Sequence, residues 1–156
     1  MRILIAAVGR LRGGPEAELA ADYVARAAAA GRGLGFKAVE LVEVEGKPAG
    51  DQRAEAVALF RATPDDARKI LLDERGAEWA SRQLAEKLAR WRDDGVPSAC
   101  FWIGGADGAS QGVKDQADEK LAFGRQTWPH RLVRVMISEQ IYRAVTILSG
   151  NPYHRD

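Results

Sequence analysis

The chain has 156 residues, 46% of them hydrophobic and 29% charged, enough for one domain to bury a core unaided by disulfides or a structural metal. One cysteine, Cys100, excludes an internal disulfide, and with only two histidines, at positions 130 and 154, it completes no standard ligand spacing, so no metal is expected. No segment approaches the roughly 20 apolar residues that cross a bilayer, and the short apolar run after Met1-Arg2 is not a signal peptide, so a cytoplasmic protein with no membrane partner is expected.

In chain order, Arg2–Val8 (RILIAAV) is a continuous apolar run that reads as a short strand. Gly13-Gly14-Pro15 breaks the chain, and Pro15 suits a first helical turn. Residues 16–30, rich in Ala and Glu, predict a helix, ended by Gly31, Gly33 and Gly35. Residues 36–44 alternate, with Val39, Leu41 and Val44 among charged neighbours, which predicts a strand with one wetter face. After the loop 45–50, Asp51 is placed to cap a helix to Ala62 that buries Ala54, Val57, Ala58 and Phe60 or Leu59. Thr63-Pro64-Asp65-Asp66 turns the chain into a buried strand over 69–73.

Ser81 is placed to cap the next helix, with Leu84, Leu88 and Trp91 as its core stripe, and Gly95-Val96-Pro97 stops it. Residues 99–103 are another buried strand, in which Cys100 reads as a small buried residue. A short helix over 112–121 follows, and 123–128 is ambiguous between strand and loop. Pro129 opens the last helix, His130 to about Ser149, ended by Gly150 and Pro152. Strands alternating with helices predict an α/β protein with a largely parallel sheet covered on both faces.

Ligands in such sheets bind outside the carboxyl ends of the strands. Three segments fall there: Leu72-Asp73-Glu74, the turn Gly104-Gly105-Ala106-Asp107-Gly108, and residues 123–128. Glycines after a strand let backbone approach a ligand closely. The dinucleotide fingerprint and the phosphate-cradling loop are absent from the sequence.

Charge is uneven. Residues 125–156 hold Arg125, Arg131, Arg134, Arg143 and Arg155 against Glu139 and Asp156, a net +3, which leaves −2 for residues 1–124. A basic end on a near-neutral body is either a footprint for phosphate or a solvated helix. The last helix carries more apolar residues than one sheet contact needs, from Leu132 and Val133 to Leu148. That surplus suits a second copy of the chain or full burial within one copy. Glu139 and Arg143 stand at i, i+4, which suits a structural ion pair. In the tail, Tyr153 and His154 are able to stack on a base, and Arg155 to bind phosphate or polarise a carbonyl.

Taken together, Ile103-Gly104-Gly105-x-x-Gly108, Thr127-x-Pro129-His130, Leu132-Val133-Arg134-Val135, Glu139-Gln140-x-Tyr142-Arg143-Ala144 and Pro152-Tyr153-His154-Arg155 closely resemble one family. It is the bacterial family that methylates N3 of a pseudouridine in large-subunit (23S) ribosomal RNA, within the SPOUT superfamily of knotted α/β methyltransferases. The resemblance runs along essentially the whole chain, residues 1–156 as one domain. It implies an α/β fold ending in a trefoil knot, a homodimer, and S-adenosylmethionine bound bent in the knot. Carried over by position, the cofactor contacts are Leu72, Gly104, Phe123, Gly124, Arg125, Gln126, Thr127 and Trp128. The resemblance also implies that the tail reaches the cofactor site and completes a composite site across the dimer. There Tyr153 is expected to hold or stack on the base, His154 or a water it holds to accept a proton, and Arg155 to stabilise charge on a carbonyl. The expected partner is ribosomal RNA in the large subunit or the whole ribosome. Another RNA target such as transfer RNA, or a non-catalytic ligand-binding module, are the competing readings.

Overall fold

In the computed structural model, residues 1–155 are described, and Asp156, the last residue of the expected tail, lies outside them. The apolar run at the head of the chain forms strand β1 (Arg2–Val8), buried from Ile3 onward. Successive side chains of a strand point to opposite faces. Accordingly, Ile3, Ile5 and Ala7 join one hydrophobic cluster, and Leu4, Ala6 and Val8 join another. A strand buried on both faces is the kind that reads as unbroken apolar sequence.

Around it, the described residues form four more strands, β2 (Ala38–Val44), β3 (Ala67–Glu78), β4 (Ser98–Ile103) and β5 (Glu119–Ala122). Five helices alternate with them: α1 (Pro15–Gly31), α2 (Gln52–Ala62), α3 (Ser81–Asp93), α4 (Gln111–Gln116) and α5 (His130–Ser149). The sheet order is β2-β1-β4-β3-β5, and each neighbouring pair is parallel. The expected parallel sheet with two covered faces is borne out. One face packs against α1, α3 and α5 through Ala27, Leu84, Leu88, Trp91, Ile137 and Ile141. The other packs against α2 and α4 through Ala56, Leu59 and Val113, around Cys100 and Trp102.

Several sequence expectations need correction. Helix α2 is capped by Asp51, whose carboxylate accepts the Ala54 N–H at 2.9 Å, but the helix buries Ala56 and Leu59. Val57 and Phe60 remain exposed, and Phe60 only leans its ring on Trp102, 5.6 Å between centroids. Ser81 does not cap α3. Ala80 occupies that position, its N–H taken by the Gln83 side chain at 2.8 Å, and the Ser81 hydroxyl donates to Gln140 instead. The helix placed over 112–121 stops at Gln116, and its last residues belong to β5.

Strand β3 runs on past the expected 69–73 to Glu78. It does so with a large irregularity: Leu72 and Ala77 both face Leu121 of β5, so residues 73–76 arch out of the ladder. At the foot of the arch a Cβ on Gly76 would meet the Lys120 carbonyl carbon at 2.6 Å, which only glycine avoids. No helix among the described residues is long and apolar enough to cross a membrane.

Candidate active site

The arch, the glycine turn after β4 and the segment between β5 and α5 enclose a cleft of about 670 Å³. That volume falls within the range of small-molecule sites. Leu72 and the arch residues Asp73, Glu74 and Arg75 form one wall, and residues 103–109 form the floor. Phe123 and residues 126–130 form the opposite wall, with Val133 behind them.

The floor is shaped by missing side chains. Gly104 follows β4 directly, and a Cβ there would stand 2.9 Å from the Ala109 amide nitrogen. A Cβ on Gly105 would meet both carboxylate oxygens of Glu55 at 2.9 Å. The turn closes through Gly108 N–H to the Gly105 carbonyl at 3.0 Å, with Gly108 at a positive φ of 77°. Helix α2 braces it from behind: the Gln52 amide donates to the Asp107 carbonyl at 2.9 Å. Burial, then the charges of Asp107 and Asp51, raise the Glu55 carboxyl above its ordinary value, partly offset by the Gly50 N–H.

The opposite wall is tied down at two points. The Thr127 hydroxyl donates to Glu74 on the arch at 2.7 Å, and the Trp128 indole N–H donates to the Phe123 carbonyl at 3.0 Å. Trp128 therefore folds its own segment into a closed loop, with Gly124 at a φ of 86° beneath it. His130, the first residue of α5, completes this wall. Burial, then the cations Arg134 and Arg131, lower its imidazole below the ordinary value.

Behind the wall stands Arg134, 1% exposed. Its guanidinium donates to the Val8 and Gly9 carbonyls, at 2.6 and 2.8 Å, and to Glu43 of β2 at 2.9 Å. One side chain of α5 thus covers the carboxyl end of β1 and engages β2. Counted from sequence among the cations of a basic end, Arg134 is instead an interior group. It had a legible signal, since it shares the buried helix face of Ile137, Ile141 and Val145.

Of the expected cofactor residues, the cleft brings together Leu72, Gly104, Phe123, Gln126, Thr127 and Trp128. Gly124 and Arg125 lie in the same loop but do not line the cleft. Nor do Tyr153, His154 and Arg155. The tail folds back along α5. The Tyr153 hydroxyl donates to Glu139 at 3.0 Å, and its ring lies 4.7 Å from that of Tyr142. The Arg143 guanidinium sits 4.9 Å from the Tyr153 ring centre and 3.2 Å from His154 Nδ1. Arg143 also grips Glu139 at 2.6 Å, the expected structural pair, and that hydrogen bond raises the guanidinium further. Burial, then hydrogen bonding to Tyr23 and Glu139, drives the Tyr153 phenol upward, so it stays a protonated donor. Cys100 lies on the opposite sheet face, its thiol pushed up by burial to about 11, and is inert there.

A parallel sheet whose strand ends open onto a glycine-floored cleft defines an α/β domain built to hold a small ligand. The particular family follows from comparison: residues 1–154 match the family model described as "Predicted SPOUT methyltransferase", and the chain belongs to that family. It is 57% identical over 156 residues to the ribosomal RNA large subunit methyltransferase H of Paracoccus denitrificans, covering all of both chains. It is 56% identical, again over the whole of both chains, to the protein of the same name from Phenylobacterium zucineum. The fold is similar to that of a probable methylase family protein from Haemophilus influenzae, with a TM-score of 0.53 over 99% of this chain and 70% of that one. At 13% identity that likeness concerns the fold alone.

Proposed function

We propose that this chain methylates N3 of a pseudouridine in large-subunit ribosomal RNA, with S-adenosylmethionine as methyl donor. The observation that carries the reading is the glycine-floored cleft between the arch and the 123–128 loop, in a chain of this family. The fit to the cofactor rests on the floor itself. Gly104 and Gly105 lack the Cβ atoms that would collide with the Ala109 amide and the Glu55 carboxylate, so the turn closes tightly as the floor of the cleft, and Leu72 and Phe123 offer apolar surface for a purine. Gly104, Leu72 and residues 123–128 are the groups that would hold it, Gly124 and Arg125 by shaping the loop. When bound, the cofactor supplies an electrophilic methyl carbon on a sulfonium centre.

The protein's part is to bring an imide nitrogen into line and remove its proton. His154, or a water that it holds, would take the proton from N3, leaving an electron pair to accept the methyl group as the cofactor's S–CH₃ bond breaks and its electrons return to sulfur. Arg155 stabilises the negative charge that spreads onto a flanking carbonyl, and Tyr153 holds the base. Because the tail does not line the cleft of its own chain, the reading includes a homodimer in which each tail serves the cleft of the other copy. The half-buried and exposed apolar residues of α5, Leu132 at 40% exposure among them, are the surface offered for that contact. The reading also takes residues 1–156 as one domain, the last segment as threaded into a knot, and the cytoplasm as the place of action.

The test is transfer of labelled methyl from the cofactor to purified large subunits and whole ribosomes, followed by mapping of the modified base. Label at N3 of one pseudouridine is expected. Equal transfer to uridine would sink the pseudouridine assignment, transfer to transfer RNA alone would replace the target, and tight cofactor binding without transfer would favour a binding module.

A further inference from the structure

His130 is a further catalytic group of this site: we propose that its ring N–H donates to one carbonyl oxygen of the target base as N3 loses its proton. This rests on the methyl-transfer reading above. An imide nitrogen is flanked by two carbonyls, and removing its proton spreads negative charge over both oxygens. Arg155 serves one of them in that reading, which leaves the other without a donor. His130 lies in the cleft wall beside Thr127 and Trp128, across from the Gly104 floor. Unlike Thr127 and Trp128, which are spent holding the loop, its ring makes no hydrogen bond or ion pair with any other described residue.

The surroundings keep that ring neutral. It starts α5, where the helix dipole disfavours a cation, and it is half-buried with Arg131 and Arg134 on its own helix. The other charged groups lining the cleft are Asp73, Glu74 and Arg75 on the arch, Asp107 in the turn and Lys114 on α4. Glu74 is engaged by Thr127, and Lys114 faces Asp73 at 3.9 Å. A neutral imidazole at a helix start, polarising a carbonyl as charge develops, is an established form of electrophilic assistance. Being uncharged, it also adds no repulsion against the sulfonium that the cleft must admit.

The experiment measures cofactor affinity by calorimetry, and single-turnover methyl transfer at saturating cofactor, for wild type, His130→Ala and His130→Asn. Removing one donor to a developing oxyanion slows the step by about 10²-fold, so His130→Ala is expected to lose about that factor with affinity held within about twofold. His130→Asn, which keeps an N–H, is expected to recover part of the rate. The ring of the wild-type protein, followed by NMR, should titrate below the ordinary imidazole value of about 6.5. A normal rate for His130→Ala, or a loss of affinity that saturating cofactor fully rescues, overturns the proposal. Identical losses in both variants also overturn it, because they point to space-filling. Wild-type protein that binds the cofactor but methylates no ribosome overturns the methyl-transfer reading itself.

Discussion

Gly104 sits where its missing side chain leaves no slack, and the atom in the way is backbone, which cannot swing aside. Gly104→Ala should therefore displace the turn through Ala109 and weaken cofactor binding by at least about tenfold, about 1.4 kcal/mol. Calorimetric titration reads this directly, and unchanged affinity would remove Gly104 from the floor. Arg134 makes the opposite case, a side chain that cannot be spared. Arg134→Met would strip donors from two carbonyls and from Glu43. A loss of about 3 kcal/mol in urea unfolding is expected. At this scale the sequence exposed residue types better than partners. The glycine turn and the Glu139–Arg143 pair were readable from spacing. His130 stood within a recognised motif yet had no role, because a lining position is a property of three separated segments.

Elements were legible where the core imposes a strong period and blurred where it does not. Leu84, Leu88 and Trp91 of α3 are buried as the 3.6-residue repeat requires. Helix α2 misled because its bulkiest apolar residues, Val57 and Phe60, are not the ones it buries. The four residues of β5 pair on one side only, with β3, and begin with the charged Glu119 and Lys120, so no alternation marks them. Glu119 nonetheless fixes this edge, since Arg68 of β3 and Lys87 of α3 both bond its carboxylate. Burial alone would raise that carboxyl, but the two cations outweigh it and hold it below the ordinary value. A carboxyl lowered in the folded state stabilises above its unfolded pKa, and that gain is lost as pH falls through the folded one. Glu119→Gln should thus be less stable than wild type at neutral pH. The gap should close as pH falls below the ordinary carboxylate range. A gap in unfolding midpoints that persists in acid would mean that the ion pairs are not its source.

For the molecule as a whole, alternating strands and helices were enough to foresee a parallel sheet, but not its order. The placement of β4 between β1 and β3 depends on crossovers, which leave no local trace in sequence. A threaded chain end is beyond periodicity altogether, because knots are exceptions to ordinary connectivity. The proposed dimer is similar, in that the sequence offered surplus apolar surface on α5 without saying what covers it. A mixing experiment tests the exchange of tails. Chains lacking residues 151–156 should be inactive for want of a tail, and chains carrying Gly104→Ala nearly so, for want of a floor, at a cofactor concentration too low to fill the weakened cleft. If each tail serves the other copy, unfolding and refolding the two together yields mixed dimers with one intact site, and roughly a quarter of wild-type activity returns. No recovery from a mixture shown to contain mixed dimers would confine each tail to its own chain.

The Arg134 contacts carry a consequence for synthesis. They join residues 126 and 125 positions apart, from the final helix back to the first strand. Pairings so remote in sequence form late, after the intervening chain has paid its closure entropy. A nascent polypeptide emerging from its exit tunnel can assemble β1 and β2 early, but the wall bearing Thr127, Trp128 and His130 follows only when translation is nearly finished. A premature stop anywhere before α5 should leave a product without a methyl-donor pocket, so that no shortened fragment competes for cofactor.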